Sequence, residues 1–411
     1  MLAKYFPKRK RSLTLIAILC TFFVDNLSWS IVYPVFAPFF LNPSAGAFSS
    51  PVTIATRTAV LGLYLSVFHF AQFLFSPLIG EFSDRNGRRK AFLYTIFCTF
   101  IGCVLSAIGM QRKSLMLLFF GRAVTGVFSG NLSICLAAIA DLSEKSGRKL
   151  THFGHMALVA GSAFIFGAYL GGKLSDHTLS PYFFLALPFW ISGLMTFLNY
   201  LFVFCFFNEP FVKNREIKFH LSEGFKNIAT ALRAPNIKRL YLIYFLFLLA
   251  WNVVLQFSPI LAVTAFGFST SELGNFIAFL GICWGIGSGI LTKPCLQWFH
   301  NRSVLWSCLL LFSLCAFLII FPQKPLVFMA LVGASVMISG VAWPVCTEMI
   351  SSKANKNMQG KVLGLSQSIQ SFAMGLAPLA ALLTYAAERV PFTLGGVLCS
   401  WAFWLFIQKR P

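Results

Sequence analysis

Apolar runs of about 18–25 residues, each able to cross a hydrocarbon layer about 30 Å thick as a helix, recur from one end of this chain to the other. No other feature restricts its fold as severely. Helices are obligatory in such a layer, because lipid offers backbone N–H and C=O groups no partner. Hydrophobic side chains make up 57% of the 411 residues and charged ones 11%, too little polar surface to clothe a water-soluble globule. The expectation is an all-α membrane protein of twelve transmembrane helices in two pseudo-symmetric six-helix halves. The halves are residues 1–208 and 240–411, joined by a hydrophilic cytoplasmic linker, 209–239.

The net charge of +21 would suggest a nucleic-acid partner in a soluble protein, but its distribution argues otherwise. When loops are assigned alternately to the two sides, most of the 33 basic residues fall on one side: Lys8–Arg11, Arg85–Lys90, Lys145–Lys149 and the linker. The excess of Lys and Arg on one side places both termini in the cytoplasm, with the chain multi-pass in the cytoplasmic (inner) membrane. Of the eleven cysteines only Cys295 lies outside an apolar run, and no C-x-x-C pair points to a metal. His152 and His155, at i and i+3, lack a third ligand nearby in sequence. The start KRKRSLTLIAILCTFFV mimics a signal peptide, yet its apolar run continues past Asp25 and is read as the first span.

The stretch Gly80–Lys90, GEFSDRNGRRK, packs six charges between the second span (predicted Ala59–Gly80) and the third. Charges at the bilayer centre cost roughly 2.5–3.5 kcal/mol each on insertion scales, so this turn belongs at a membrane surface. On the second span Gly62, Ser66, His69 and Ser76 follow helical spacing and form a polar strip expected to face protein. The fourth span, predicted as one helix from Leu115 to Asp141, carries Arg122, Gly126 and Gly130 at i, i+4 and i+8, topping a small-residue face with an arginine. Gly167–Gly172, GAYLGG, lies on the fifth. The eighth (Leu273–Leu291) has glycines at 281, 285 and 289, and the eleventh (Val362–Tyr385) contains Gly375-Leu376-Ala377-Pro378. In the linker Leu221, Phe225, Ile228 and Leu232 share one helical face, which suits a helix along the inner leaflet or a solvated connector.

Spaced as G-x-x-x-D-R-x-G-R-R/K, the Gly80 loop resembles the signature between the second and third helices of the major facilitator superfamily of secondary transporters. The Arg122-x-x-x-Gly126 pattern resembles the fourth-helix signature of its proton-coupled members, and GAYLGG resembles the antiporter motif G-P-x-x-G-G, with Ala168 in place of proline. With FVDNLSWSIVYPVFAPF on the first span, the resemblance extends to the tetracycline and multidrug proton antiporters. It implies alternating access driven by a proton gradient, with no bound cofactor, no metal and a small-molecule substrate. A two-half transporter needs no second copy to make its pathway, so a monomer is expected. It further implies a cytoplasmic gate of Gly80, Asp84, Arg85, Gly87, Arg88 and Asp141, in which Asp84 caps the eleventh helix and Arg88 pairs with Asp141.

Three titratable groups lie at depth: Asp25, His69 and Arg122. Counted at about 1.5 Å per residue, Asp25 lies about 12 Å and Arg122 about 10 Å from the outer face, so the two can meet. A neighbouring guanidinium favours a charged carboxylate and desolvation disfavours it, a balance that a proton-coupling group needs. Two roles are open to the pair: proton coupling, or a permanent buried lock between helices. His69 is either a third coupling group or a histidine bonded to a neighbouring helix. Polar and aromatic residues at mid-depth are the candidate cavity wall: Asn26, Trp29, Tyr33, Asn252, Gln256, Trp343, Gln367 and Gln370. Few polar anchors among aromatic ones favour amphiphilic cargo over sugars. The expected function is proton-coupled export of such compounds. The alternative is nutrient uptake, or export of an anionic metabolite such as a siderophore with Arg122 as its anchor. No G-x-S-x-G, H-E-x-x-H or pair of deep aspartates suggests an enzyme.

Overall fold

The computed structural model describes residues 8–43, 47–48, 52–129, 131–144, 149–209, 238–321, 324–352, 359–385 and 387–408. Among them there is no strand, and twelve helical segments are long and apolar enough to cross a membrane. The linker, 210–237, lies outside the described residues, as does its expected amphipathic helix.

The helices are α1 (Lys8–Leu41), α2 (Ile54–Asn86), α3 (Arg88–Gln111), α4 (Leu115–Phe128), α5 (Asn131–Glu144), α6 (Lys149–Leu174), α7 (Leu187–Phe206), α8 (Lys238–Phe266), α9 (Thr270–Gly285), α10 (Thr292–Trp298), α11 (Asn301–Leu318), α12 (Pro325–Ser352), α13 (Gln359–Leu376) and α14 (Val390–Ile407). Three spans depart from the regular helices expected. In the fourth, α4 tightens at its end, where the Ser129 amide and hydroxyl both donate to Gly126 O, at 3.3 and 2.7 Å. The glycine-rich IGSGIL between α9 and α10 widens into a π-helix, Ile286–Leu291. The eleventh tightens into a 3-10 helix, Ala377–Tyr385, because Pro378 has no N–H for Met374 O and its ring crowds that carbonyl.

The second span also outruns its predicted end at Gly80. At 33 residues α2 is about 50 Å long, well beyond a 30 Å core, so its last turns carry Glu81–Asn86 past the hydrocarbon as helix. The turn shrinks to Gly87, whose φ of 96° is a backbone state that favours glycine.

The chain divides into two compact units, Met1–Val35 with Ala71–Glu223, and Phe36–Phe70 with Gly224–Pro411. In the first, a core of Phe22, Ile79, Phe92, Ile139, Met156 and Val203 joins α1, the end of α2, α3, α5, α6 and α7. A Cβ at Gly171 would overlap the Ile31 carbonyl and one at Gly167 the Ser30 hydroxyl, so α6 lies against α1 backbone to backbone. In the second unit, the Phe328 ring packs at a tilt against Phe266 at 5.1 Å and Phe276 at 5.7 Å. There Gly62, Ser66 and His69 of the strip on α2 are buried, Gly62 abutting Pro378 O and Ala381, whereas Ser76, in the first unit, is half-buried. Large apolar side chains such as Leu158, Phe166, Leu194 and Leu326 point outward, the arrangement a lipid solvent requires.

Candidate functional site

In the first unit Asp25 stands half-buried on α1. Its Oδ1 accepts from Asn131 Nδ2 at 3.2 Å, and Asn131 stands at the start of α5. Arg122, buried on α4, is held where α4 presses on α3: a Cβ at the adjacent Gly121 would stand 2.8 Å from Ser106 N and 2.9 Å from Gly102 O. The Arg122 charge acts on Tyr33 and Cys103, and that of Asp25 on Cys103 and Cys135. No ion pair joins Asp25 to Arg122. The structure thus brings Asp25 together with Asn131.

Aromatic rings line this region. Trp29 stacks on Tyr33 at 5.3 Å and on Phe164 at 5.6 Å. Asn26 turns back to its own helix, its Nδ2 donating to Phe22 O at 2.8 Å.

The remaining wall candidates lie in the second unit. Asn252 is buried and donates to Leu248 O of its own helix at 2.8 Å. Gln256 has a structural partner that follows from chain chemistry: its Nε2 lies 3.4 Å from Met374 O, the carbonyl that Pro378 cannot serve. Its Oε1 is buried without a partner. Trp343 on α12 faces Trp284 of α9, rings 6.3 Å apart. On α13 Gln367 is exposed and Gln370 half-buried. The His69 ring stands edge-on to Phe68 at 5.1 Å.

At the turn Gly87, Arg88 is buried, donates to Ser83 Oγ at 2.9 Å and forms an ion pair with Asp84 one turn earlier on α2. Gly80 is half-buried and Arg85 exposed. The Asp141 side chain and those of residues 359–364, which begin the eleventh span, lie outside the described residues. A residue that sequence reasoning did not single out completes the turn. Glu209 accepts from the backbone N–H of Arg88 at 3.1 Å and of Arg89 at 2.9 Å, satisfying two orphan donors of α3 with a carboxylate. Arg89 in turn donates to Phe204 O at 2.6 Å. The only signal in the sequence is an acid immediately after a span, on the same side as an exposed helix start.

Among the described residues the fold is helical, with twelve candidate spans and a buried Arg122, the architecture of a polytopic membrane protein. The sequence matches the model of the Major Facilitator Superfamily over residues 18–410, and the chain belongs to that family. It is 26% identical over 361 residues to Major facilitator superfamily domain-containing protein 10 of Bos taurus, covering 82% of this chain and 76% of that protein. It is 24% identical over 387 residues to the class C tetracycline resistance protein of Escherichia coli, covering 92% and 91%. Among solved structures, the human organic anion transporter MFSD10 superposes with a TM-score of 0.71 at 22% identity, covering 98% of this chain and all of that one. A bacterial homologue of the human lysosomal transporter Spinster gives 0.77 at 14% identity, covering 98% and 97%. The protein is therefore a multi-pass membrane transporter of small molecules and not an enzyme.

Proposed function

We propose that this chain is a proton-coupled exporter of small amphiphilic compounds, working by alternating access in the cytoplasmic membrane with both termini in the cytoplasm. The observation that carries this reading is the setting of Asp25. It is a half-buried carboxylate in an apolar bundle, hydrogen-bonded to a neutral amide and engaged in no ion pair with Arg122. A carboxylate so placed changes its proton affinity whenever its hydration, or its distance from a fixed guanidinium, changes. Arg122 supplies that fixed charge. Trp29, Tyr33 and Phe164 offer an aromatic surface with few polar anchors, which suits amphiphilic cargo. Similarity to proteins named for tetracycline resistance supports the same direction of flux.

A second reading is favoured by Arg122 itself and by the likeness to a protein described as an organic anion transporter. In it the cargo is an anionic metabolite and Arg122 its carboxylate anchor. Arg122→Lys separates the two, because a bidentate anchor is lost with lysine whereas a field effect largely survives. The primary test is counter-transport in proteoliposomes under an imposed pH gradient, screened over cationic drugs, organic acids and amino acids. Asp25→Asn should abolish accumulation driven by the gradient while sparing equilibrative exchange; full gradient-driven activity in that variant removes Asp25 from the mechanism.

A further inference from the structure

Thr95, Asn131 and Asp25 form a hydrogen-bonded row across α3, α5 and α1. Asn131 is 1% exposed and Thr95 fully buried. On one side Asn131 Nδ2 donates to Asp25 Oδ1 at 3.2 Å; on the other, Thr95 Oγ1 makes a short contact with Asn131 Oδ1. Thr95 Oγ1 also lies 2.8 Å from Ala91 O and 3.2 Å from Phe92 O. A hydroxyl has a single proton to donate but lone pairs with which to accept, so it gives that proton to Asn131 or to its own helix and can accept from Asn131 when it gives it to the helix.

That constraint yields two complete arrangements. With Asp25 ionised, the Asn131 amide donates to the carboxylate and its oxygen accepts the Thr95 proton. With Asp25 protonated, the amide reverses: the new Asp25 O–H donates to Asn131 Oδ1, Asn131 Nδ2 donates to Thr95 Oγ1, and the Thr95 proton turns to Ala91 O. Each of these donors finds an acceptor in both arrangements, which differ by a half-turn of one amide and a rotation of one hydroxyl. An arginine partner would serve the ionised form alone, and an apolar residue neither.

We propose that Asn131, seated by Thr95, is a positioning residue that switches orientation with the protonation state of Asp25. The inference rests on the reading of Asp25 as the proton-coupling group and adds how its state is passed on. The proton binds a carboxylate oxygen and leaves from it; Asn131 carries none. Asn131 lies at the start of α5, so the reversal acts at the junction of α5 with α3 and α1. The groups around Asp25 are the Cys103 and Cys135 thiols on α3 and α5, and Arg122 on α4, whose field reaches Cys103 and Tyr33. From α6 and α7, Phe164, Thr196 and Asn199 contact α1, and Tyr200 packs against the core that α1 joins.

The test is infrared difference spectroscopy of the full-length reconstituted protein between alkaline and acid pH, with gradient-driven transport measured alongside. The wild type should gain a carboxylic C=O band, absent in Asp25→Asn, together with a shift of an asparagine side-chain amide band. Asn131→Leu should lose the amide signal and move the midpoint of the carboxyl band to higher pH by about one unit, because a charge-assisted hydrogen bond is roughly twice as strong as a neutral one. Thr95→Val, which preserves shape and covers the case in which Asn131→Leu does not fold, should alter the amide shift on acidification, and Thr95→Ser should restore it. A carboxyl band with no accompanying amide change, or an amide signal indifferent to Thr95→Val, overturns the switch and leaves Asp25 in place. Absence of any carboxyl band that Asp25→Asn removes overturns the reading of Asp25 instead.

Discussion

Replacing Glu209 by alanine strips α3 of the carboxylate that meets its first two N–H groups, at 3.1 and 2.9 Å, from a position 121 and 120 residues away. Loss of a side-chain cap costs about 1 kcal/mol, and loss of a negative charge at a helix N-terminus about 0.3–1 kcal/mol more. Because Glu209 satisfies two donors that then face apolar neighbours and water unevenly, about 2 kcal/mol is expected. For a cooperative unit of 150–250 residues that lowers the unfolding midpoint by about 4–8 °C. Glu209→Gln keeps one acceptor oxygen but turns an NH2 toward the other donor, so it should recover about half of the loss. The eleven cysteines are all free, and Cys103, Cys135, Cys283, Cys308, Cys346 and Cys399 are buried, so a thiol-reactive fluorophore reports unfolding of detergent-solubilised protein. A wild-type midpoint for Glu209→Ala would refute the cap and with it the claim that the start of the linker is anchored at the Gly87 turn.

Three further outcomes follow from single contacts. Arg57 is buried, donates to Phe40 O and Val52 O at 3.3 Å each, and lies 4.9 Å over the Phe48 ring, so Arg57→Lys should free the α1–α2 connection as fully as Arg57→Ala; limited proteolysis of that loop measures this, and rescue by lysine would contradict it. Gln256→Leu should cost about 1–2 kcal/mol by leaving Met374 O without a donor, and clearly less in a Pro378→Ala background, where residue 378 regains an N–H for that carbonyl. Equal costs in both backgrounds, read from thermal unfolding as a double-mutant cycle, would show that Gln256 does not serve the interrupted helix. Gly171→Ala places a methyl group into the Ile31 carbonyl, so α6 and α1 must part, at about 3 kcal/mol or more. An unchanged unfolding midpoint would show that these two helices can separate freely.

How much of the site could be read from the chain depends on how far apart its partners lie. Asp25 and Arg122 stand out because a charge inside an apolar run is costly and therefore conspicuous. Asn131 does not, since one amide among small and apolar residues carries no such signal, and its partners lie 106 and 36 residues away. Glu209 reads as an ordinary polar residue after a span until α3 is seen to begin beside it. The irregular segments were partly legible: Pro378 and the glycines of IGSGIL mark the 3-10 and π segments, whereas the turn at Ser129 was hidden in a continuous apolar pattern.

The sequence by itself determined that this protein is a twelve-span helical transporter, because lipid leaves a chain of such runs no other way to satisfy its backbone, and the charged turn and Arg122 motif identify the family. Only the tertiary structure decided which groups meet. Asp25 takes Asn131 as its partner, Arg88 pairs with Asp84, and Glu209 caps α3. The physical reason is that lipid acts on each span separately and leaves its mark in local composition, whereas hydrogen-bond partners are chosen by the packing of small-residue faces that bring distant spans together.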